Sequence, residues 1–265
     1  MDMQITGRVA LVTGATQGIG FETARMLAEE GVTLVLSDLS IDDLKPAAEK
    51  LPGSPLCVAA DVTSQQALDD LVARTIEAHG QLDIVVHTAG ITGAKGHPLE
   101  VGDEDYEACW NINFMSSVRL ARASIPAMRK GQWGRFICIS SENAIQPYWE
   151  EAVYNVSKAA LSAFIKNLSY DEAAHGVLCN TVSPAFVESP MTDGMMEKRA
   201  EALGVSVEEA IDSFLDEERP GIVQKRRGKA EEVAATIVFL ASSHGSYING
   251  SNVRVDGGAV LSVQN

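Results

Sequence analysis

The sequence predicts an α/β fold, a doubly wound parallel sheet of about seven strands with helices on both faces. Three observations carry this reading. Short apolar, β-branched runs lack the polar alternation of half-exposed strands; longer segments of helical period separate them; and the rhythm runs from Arg8 to Val255 with one interruption. The strand candidates are residues 8–13, 33–37, 56–60, 84–86, 135–140, 178–182 and 252–255. Between the first two, a helix over 18–30 ends at Gly31. Leu68, Leu71, Val72 and Ile76 form one apolar stripe, with Ser64 as its N-cap and Gly80 just past its end. Two long helices follow, around 106–130 and 153–175. No Gly/Ser-rich linker or repeat divides the chain, so residues 1–265 are expected to form a single domain. The interruption, about 189–229, is too long for an ordinary connection and is expected to be a helical lid over the substrate.

Composition narrows the function. With 265 residues and 46% hydrophobic content the chain can bury a core, which excludes disorder as its main state. The balance of 21 Lys+Arg against 36 Asp+Glu gives a formal net charge of −15, which repels phosphate backbones and anionic membranes, so no nucleic acid or membrane partner is expected. No uncharged run approaches the roughly 18 apolar residues of a membrane span. The first ten residues show no basic stretch followed by an apolar one, and a cytoplasmic protein is expected. Cys57, Cys109, Cys138 and Cys179 form no C-x-x-C pair and read as reduced, buried thiols; the five histidines have no metal-ligand spacing, and no metal site is expected.

Directly after the first strand stands Thr13-Gly14-Ala15-Thr16-Gln17-Gly18-Ile19-Gly20, then a helix. A turn without side chains lets a pyrophosphate approach the backbone, and the helix N-terminus offers unpaired N–H groups. The spacing G-x-x-x-G-x-G implies a longer loop than G-x-G-x-x-G. Eighteen positions beyond Gly20, Asp38 ends the second strand, where a carboxylate can accept hydrogen bonds from both adenosine-ribose hydroxyls and repel a 2′-phosphate. Leu39 follows it, and neither Ala15 nor Gln17 supplies a cation, so NAD(H) is expected over NADP(H). Asp61, with Val62 beside it, is either an adenine partner or a turn residue before the Ser64 helix.

Tyr154 and Lys158 lie at i and i+4 on one helix, phenol and ammonium on one face. Removing hydride from an alcohol requires removing its hydroxyl proton, and a nicotinamide brings no base. A free phenol near pKa 10 is a feeble base; lowering it by about 2–3 units takes roughly 3–4 kcal/mol of differential stabilisation, which an ammonium one helical turn away plus the positive nicotinamide can supply. Ser140-Ser141 ends the fifth strand, at the sheet edge where ligands bind.

Thr13 to Gly20, Asp61, Asn113, Ser141, Tyr154, Lys158 and the closing Asn252-Val253-Arg254-Val255-Asp256-Gly257-Gly258 together resemble the short-chain dehydrogenase/reductase family over almost the entire chain. The resemblance implies a Rossmann-type sheet, Tyr154 as general acid/base, Lys158 on the nicotinamide ribose, Ser141 orienting the substrate oxygen, and Asn113 on a helix that positions a water in the proton relay. Ser141 has the family's spacing to the Tyr, and Asn113 its register in Trp110-Asn111-Ile112-Asn113-Phe114. It also implies cofactor contacts from Gly14, Thr16, Gln17, Gly18, Ile19, Gly20, Ala89, Gly90, Pro184, Val187 and Ser189. A homo-oligomer, commonly a tetramer, is implied through the helices around 106–130 and 153–175. Two departures stand out. His87-Thr88 replace the family's Asn-Asn, and His87 reads as structural. Pro184-Ala185 replace Pro-Gly, and Ala does not freely adopt positive φ.

The pocket walls are expected from Asn143, Ile145, Gln146, Trp149 and Phe186 and from the Met-rich lid, suiting an apolar, cyclic ketone or secondary alcohol. No Arg clamp is indicated; Glu142, Glu150 and Glu151 lie near the pocket and can equally face solvent, whereas the basic run Lys225, Arg226, Arg227, Lys229 reads as a solvated loop. The expected activity is an NAD-dependent interconversion of a small secondary alcohol and a ketone. Alternatives are a 3-oxoacyl-carrier-protein-type ketoreductase, disfavoured by the negative charge and the missing NADP-selecting cation, and a non-catalytic nucleotide sensor.

Overall fold

The computed structural model describes residues 2–263. Its strands are β1 (Val9–Thr13), β2 (Thr33–Asp38), β3 (Leu56–Ala59), β4 (Ile84–His87), β5 (Gly134–Ile139), β6 (Val177–Pro184) and β7 (Asn252–Val255). They form one sheet in the order β3-β2-β1-β4-β5-β6-β7, and every pairing is parallel. The register aligns Ser37, Thr13, His87, Cys138, Thr181 and Asn252 in a row across the sheet near its carboxyl edge.

Helices cover both faces because each buried strand carries apolar residues on both. Ala10 and Val12 of β1 pack with α1 (Gly18–Glu29), α2 (Ile41–Ala48) and α9 (Ala230–Ala241); Leu11 between them packs on the opposite layer of α3 (Gln65–His79), α5 (Ser116–Gly131) and α6 (Ala152–Glu172). The helix α3 starts at Ser64, whose hydroxyl accepts from the Ala67 N–H, and stops at Gly80 in the left-handed conformation, as its sequence predicts. Ahead of α5, α4 (Asp103–Cys109) runs into one π-helical stretch, Trp110–Met115, which the sequence pattern does not reveal.

The interruption in the rhythm contains α7 (Pro190–Leu203) and α8 (Val207–Glu217), each opened by a serine cap with a reciprocal side-chain bond at its third residue. They close a third cluster of Phe186, Met196, Phe214, Leu215 and Ile222 beside the sheet edge. The basic run beyond is tied down: Lys225 pairs with Asp216, Arg226 with Glu232 and Arg227 with Asp193. No described helix is long and apolar enough to cross a membrane.

Phe136 sits fully buried on β5 between α5 and α6. Phe136→Ala should cost about 3–5 kcal/mol in urea unfolding. Leu39→Ala, at a position 71% exposed, should stay within about 0.5 kcal/mol.

Candidate active site

At the carboxyl edge one cavity of about 770 Å³ runs from the β1–α1 turn to the lid, in the size range of small-molecule sites. Every residue that the sequence assigns to the dinucleotide lines it. Gly14 and Gly18 adopt left-handed backbone, φ +65 and +56. A Cβ on Gly20 would stand 2.1 Å from the Gly14 carbonyl oxygen, so the turn closes only without a side chain there. Thr88 pins it, its hydroxyl donating to the Thr13 carbonyl at 2.7 Å. Gln17 caps α1 with no side-chain bond, and no acidic residue lies in the first turn, so the helix presents its free N–H groups to the cavity. Backbone N–H groups, positive-φ glycines and an uncapped helix start fit a pyrophosphate.

Next along the edge, Asp38 is held from two sides: Oδ2 accepts from the Thr16 hydroxyl at 2.8 Å and Oδ1 from the Leu39 N–H at 2.9 Å. Asp61 accepts from the backbone and hydroxyl of Thr63, and these bonds hold its carboxyl below the usual range. It thus serves as a turn residue while also lining the cavity. The cations lining the cavity are Lys95, Lys158, Lys198 and Arg219; none lies in the loop between β2 and α2.

Ser141, Tyr154 and Lys158 meet at the far end of the cavity. The ammonium of Lys158 lies 5.6 Å from the Tyr154 ring centroid and donates to the Ile139 carbonyl at 2.7 Å; burial brings it down to about 8. Burial pushes the Tyr154 phenol above its ordinary range, the Glu142 charge adds to this, and a hydrogen bond with Ser141 opposes it. Desolvation thus opposes the lowering that the ammonium and a positive nicotinamide are expected to supply together. Asn113 lies behind the wall. Its Oδ1 accepts from the Ile91 N–H at 2.8 Å, and its amide donates to the Ile91 carbonyl, Cys109 Sγ and Ser157 Oγ. Its side chain therefore fixes, from behind the wall, the segment that follows Gly90.

The structure separates the three acids that the sequence leaves open between pocket and solvent. Glu150 is exposed, but Glu142 and Glu151 are buried in the cavity wall. Arg219, just beyond α8, reaches in: Nη2 donates to both Glu151 oxygens at 2.8 and 2.9 Å, and its guanidinium stacks 3.5 Å over the Tyr148 ring. Lys95 and Asn143 complete the shell around Glu151. An arginine does face the pocket, then, though a carboxylate of the same chain holds it. Asn143 and Phe186 line the main cavity, whereas Gln146 and Trp149 lie in an adjoining depression, with Trp149 68% exposed. Lys95, Thr88, Glu142, Glu151 and Arg219 carry no spacing signal; Arg219 and Glu151 are 68 residues apart.

His87 is structural. Its Nδ1 bonds Thr13 Oγ1 and its Nε2 bonds Ser116 Oγ, both at 2.7 Å, bracing β1 against α5 beneath the site. Ala185 is not among the described residues with positive φ, so the backbone there takes an ordinary path.

Residues 14–260 match a family model described as enoyl-(acyl carrier protein) reductase. The chain belongs to the short-chain dehydrogenase/reductase family. Within this family of oxidoreductases it is 32% identical to the 3-oxoacyl-[acyl-carrier-protein] reductase FabG of Thermotoga maritima, over 98% of this chain and 100% of that one. Similarity to oxidoreductase UcpA of Salmonella typhimurium is 33%, over 97% and 96%. Among solved structures, L-sorbose reductase from Gluconobacter frateurii, complexed with NADPH and L-sorbose, superposes with a TM-score of 0.93 at 35% identity, covering 99% of this chain and 100% of that one.

Burial, with the Lys158 charge adding, brings His87 down to about 3. Its ring should therefore stay neutral from pH 8 to pH 5 in nitrogen-detected NMR. Because the unfolded histidine binds a proton near 6.5, this site should withdraw stability as pH falls from about 6.5 toward 3.

Proposed function

We propose that this protein reduces a small ketone to a secondary alcohol, and runs the reverse reaction, with NAD(H). The observation that carries this reading is the convergence of Ser141, Tyr154 and Lys158 at one end of a cavity whose other end is the glycine turn. A bound nicotinamide would exchange hydride with the substrate carbon. Tyr154 gives or takes the proton at the substrate oxygen, Ser141 hydrogen-bonds that oxygen, and Lys158 holds the nicotinamide ribose and favours the phenolate. Asn113 keeps the segment after Gly90 in place. Residues 189–229 serve as a substrate lid within one domain, and Phe214 and Met195 of that segment line the cavity.

Asp38, already oriented by Thr16 and Leu39, supports NAD(H): its charge opposes a 2′-phosphate, and no lining cation follows it. The L-sorbose reductase was solved with NADPH, so this preference sets the two proteins apart. The buried acids and Arg219 set a polar patch in an otherwise mainly apolar wall, and this patch, with the sorbose-binding relative, favours a hydroxylated ketone over the apolar one suggested by sequence. Similarity to FabG supports a 3-oxoacyl thioester as the second reading, against which the net charge of −15 weighs when the carrier is acidic. Trp110, Val156 and Tyr170 are exposed on the α4–α6 side and support a homo-oligomer through those helices, in a cytoplasmic enzyme.

With L-sorbose, cyclohexanone and acetoacetyl-CoA as probes, turnover should be greatest with L-sorbose and NADH. Tyr154→Phe should lower kcat by about 10²- to 10⁴-fold while NADH still binds; unchanged turnover would overturn the mechanism. Fluorescence titration should give a lower Kd for NADH than for NADPH, and equal values would refute the assignment to Asp38. Light scattering after size exclusion should show an oligomer rather than a monomer.

A further inference from the structure

The Ser141 hydroxyl has one hydrogen, and acceptors of this chain compete with a substrate oxygen for it. Oγ donates to Glu142 Oε2 at 2.7 Å and stands 3.1 Å from Asn143 Oδ1, a second acceptor. Oγ accepts from the Asn143 N–H at 3.3 Å, and its hydrogen bond with Tyr154 lowers the phenol, as a bond donated by Ser141 does. A ketone oxygen that takes up hydride at its carbon becomes an oxyanion and needs donors. While a carboxylate holds the Ser141 hydrogen, Tyr154 alone can donate.

Glu142 is 4% exposed, and its charge is poorly compensated. The groups facing it are Arg219 from the lid, Glu151 and Tyr148 from the segment before α6, and Tyr154 on α6. Arg219 Nε stays 3.7 Å from Oε1, because the donors of that guanidinium nearest the acids are engaged by Glu151. Burial pushes the Glu142 carboxyl up to about 7, with Ser141 and Arg219 opposing and Glu151 reinforcing.

We propose that Glu142 is a positioning residue for Ser141: as a carboxylate it holds the Ser141 hydrogen, and as an acid it donates to Oγ and releases that hydrogen to the substrate oxygen. The inference rests on the ketone-reducing reading of the site. Hydride adds to the carbonyl carbon and the phenol proton passes to oxygen, while Ser141 and Glu142 each finish with the protons they began with. Reduction is therefore fastest with Glu142 protonated. Because Arg219 belongs to the lid, the seating of the lid adjusts the pH at which Ser141 is released.

The test compares the wild type with Glu142→Gln and Arg219→Met, using L-sorbose and NADH from pH 5.5 to 9. Wild-type kcat should fall by about tenfold as pH rises through about 7, part of the roughly 10²-fold that one lost oxyanion donor can cost. Glu142→Gln, which has no proton to lose, should keep its low-pH rate into the alkaline range. Arg219→Met should move the fall to higher pH. A fall retained at the same pH in Glu142→Gln, or unmoved in a folded Arg219→Met, overturns the inference. A second readout needs no turnover: in protein carrying carboxyl-¹³C glutamate, the resonance missing from Glu142→Gln should titrate near neutral pH. Titration near 4 overturns the inference by itself, whereas absence of turnover with a neutral-range titration overturns the reading of the site as a reductase and leaves the titrating pair in place.

Discussion

Parallel pairing of all seven strands is the constraint on which the site depends. With every strand pointing the same way, every carboxyl end opens on one edge, and the loops that follow β1, β2, β4, β5 and β6 meet there although they are far apart in sequence. The row from Ser37 through Thr13 and His87 to Thr181 fixes their height. Thr88 bonding back to Thr13, and His87 reaching from Thr13 to Ser116, then tie the turn to its neighbours with buried hydrogen bonds. Each such bond contributes only about 0.5–1.5 kcal/mol net, but leaving a partner unpaired costs more, so the arrangement resists displacement.

Charge is handled locally. The surface carries the excess acid of a molecule at −15, while the cavity meets anionic groups with backbone N–H donors and a helix start that has no acidic residue in its first turn. A buried cluster of charge, Glu142, Glu151 and Arg219 with Lys95 at its rim, joins the segment 189–229 to the loop beside Ser141. Buried ions of this kind contribute little net stability, because their desolvation offsets most of their attraction. What they provide is a fixed relation between the segment 189–229 and the loop beside Ser141. The two carboxylates of the cluster, Glu142 and Glu151, also raise the phenol of Tyr154.

Local rules were enough for much of the molecule. The period of the apolar runs gave strands within a residue or two of their bounds, Ser64 and Gly80 marked both ends of a helix, and the glycines named the turn where a side chain cannot fit. The same rules placed Tyr154 and Lys158 on one helix face. They could not place Asn113 behind the wall or turn Trp149 outward, since a residue's face depends on how its element is seated. The π-helical stretch around Asn113 leaves no period of its own in six residues.

By itself, then, the sequence determined what neighbours along the chain determine: the alternation of strand and helix, the caps, the side-chain-free turn, Asp38 at its strand end and the Tyr–Lys pair. Tertiary structure decided the polarity of the pocket. Whether Glu142 and Glu151 face water or a buried arginine turns on Arg219, 68 residues beyond Glu151 and carried on the lid. Burial is a property of what packs against a residue, and a carboxylate's charge state follows its burial. No local spacing encodes either one.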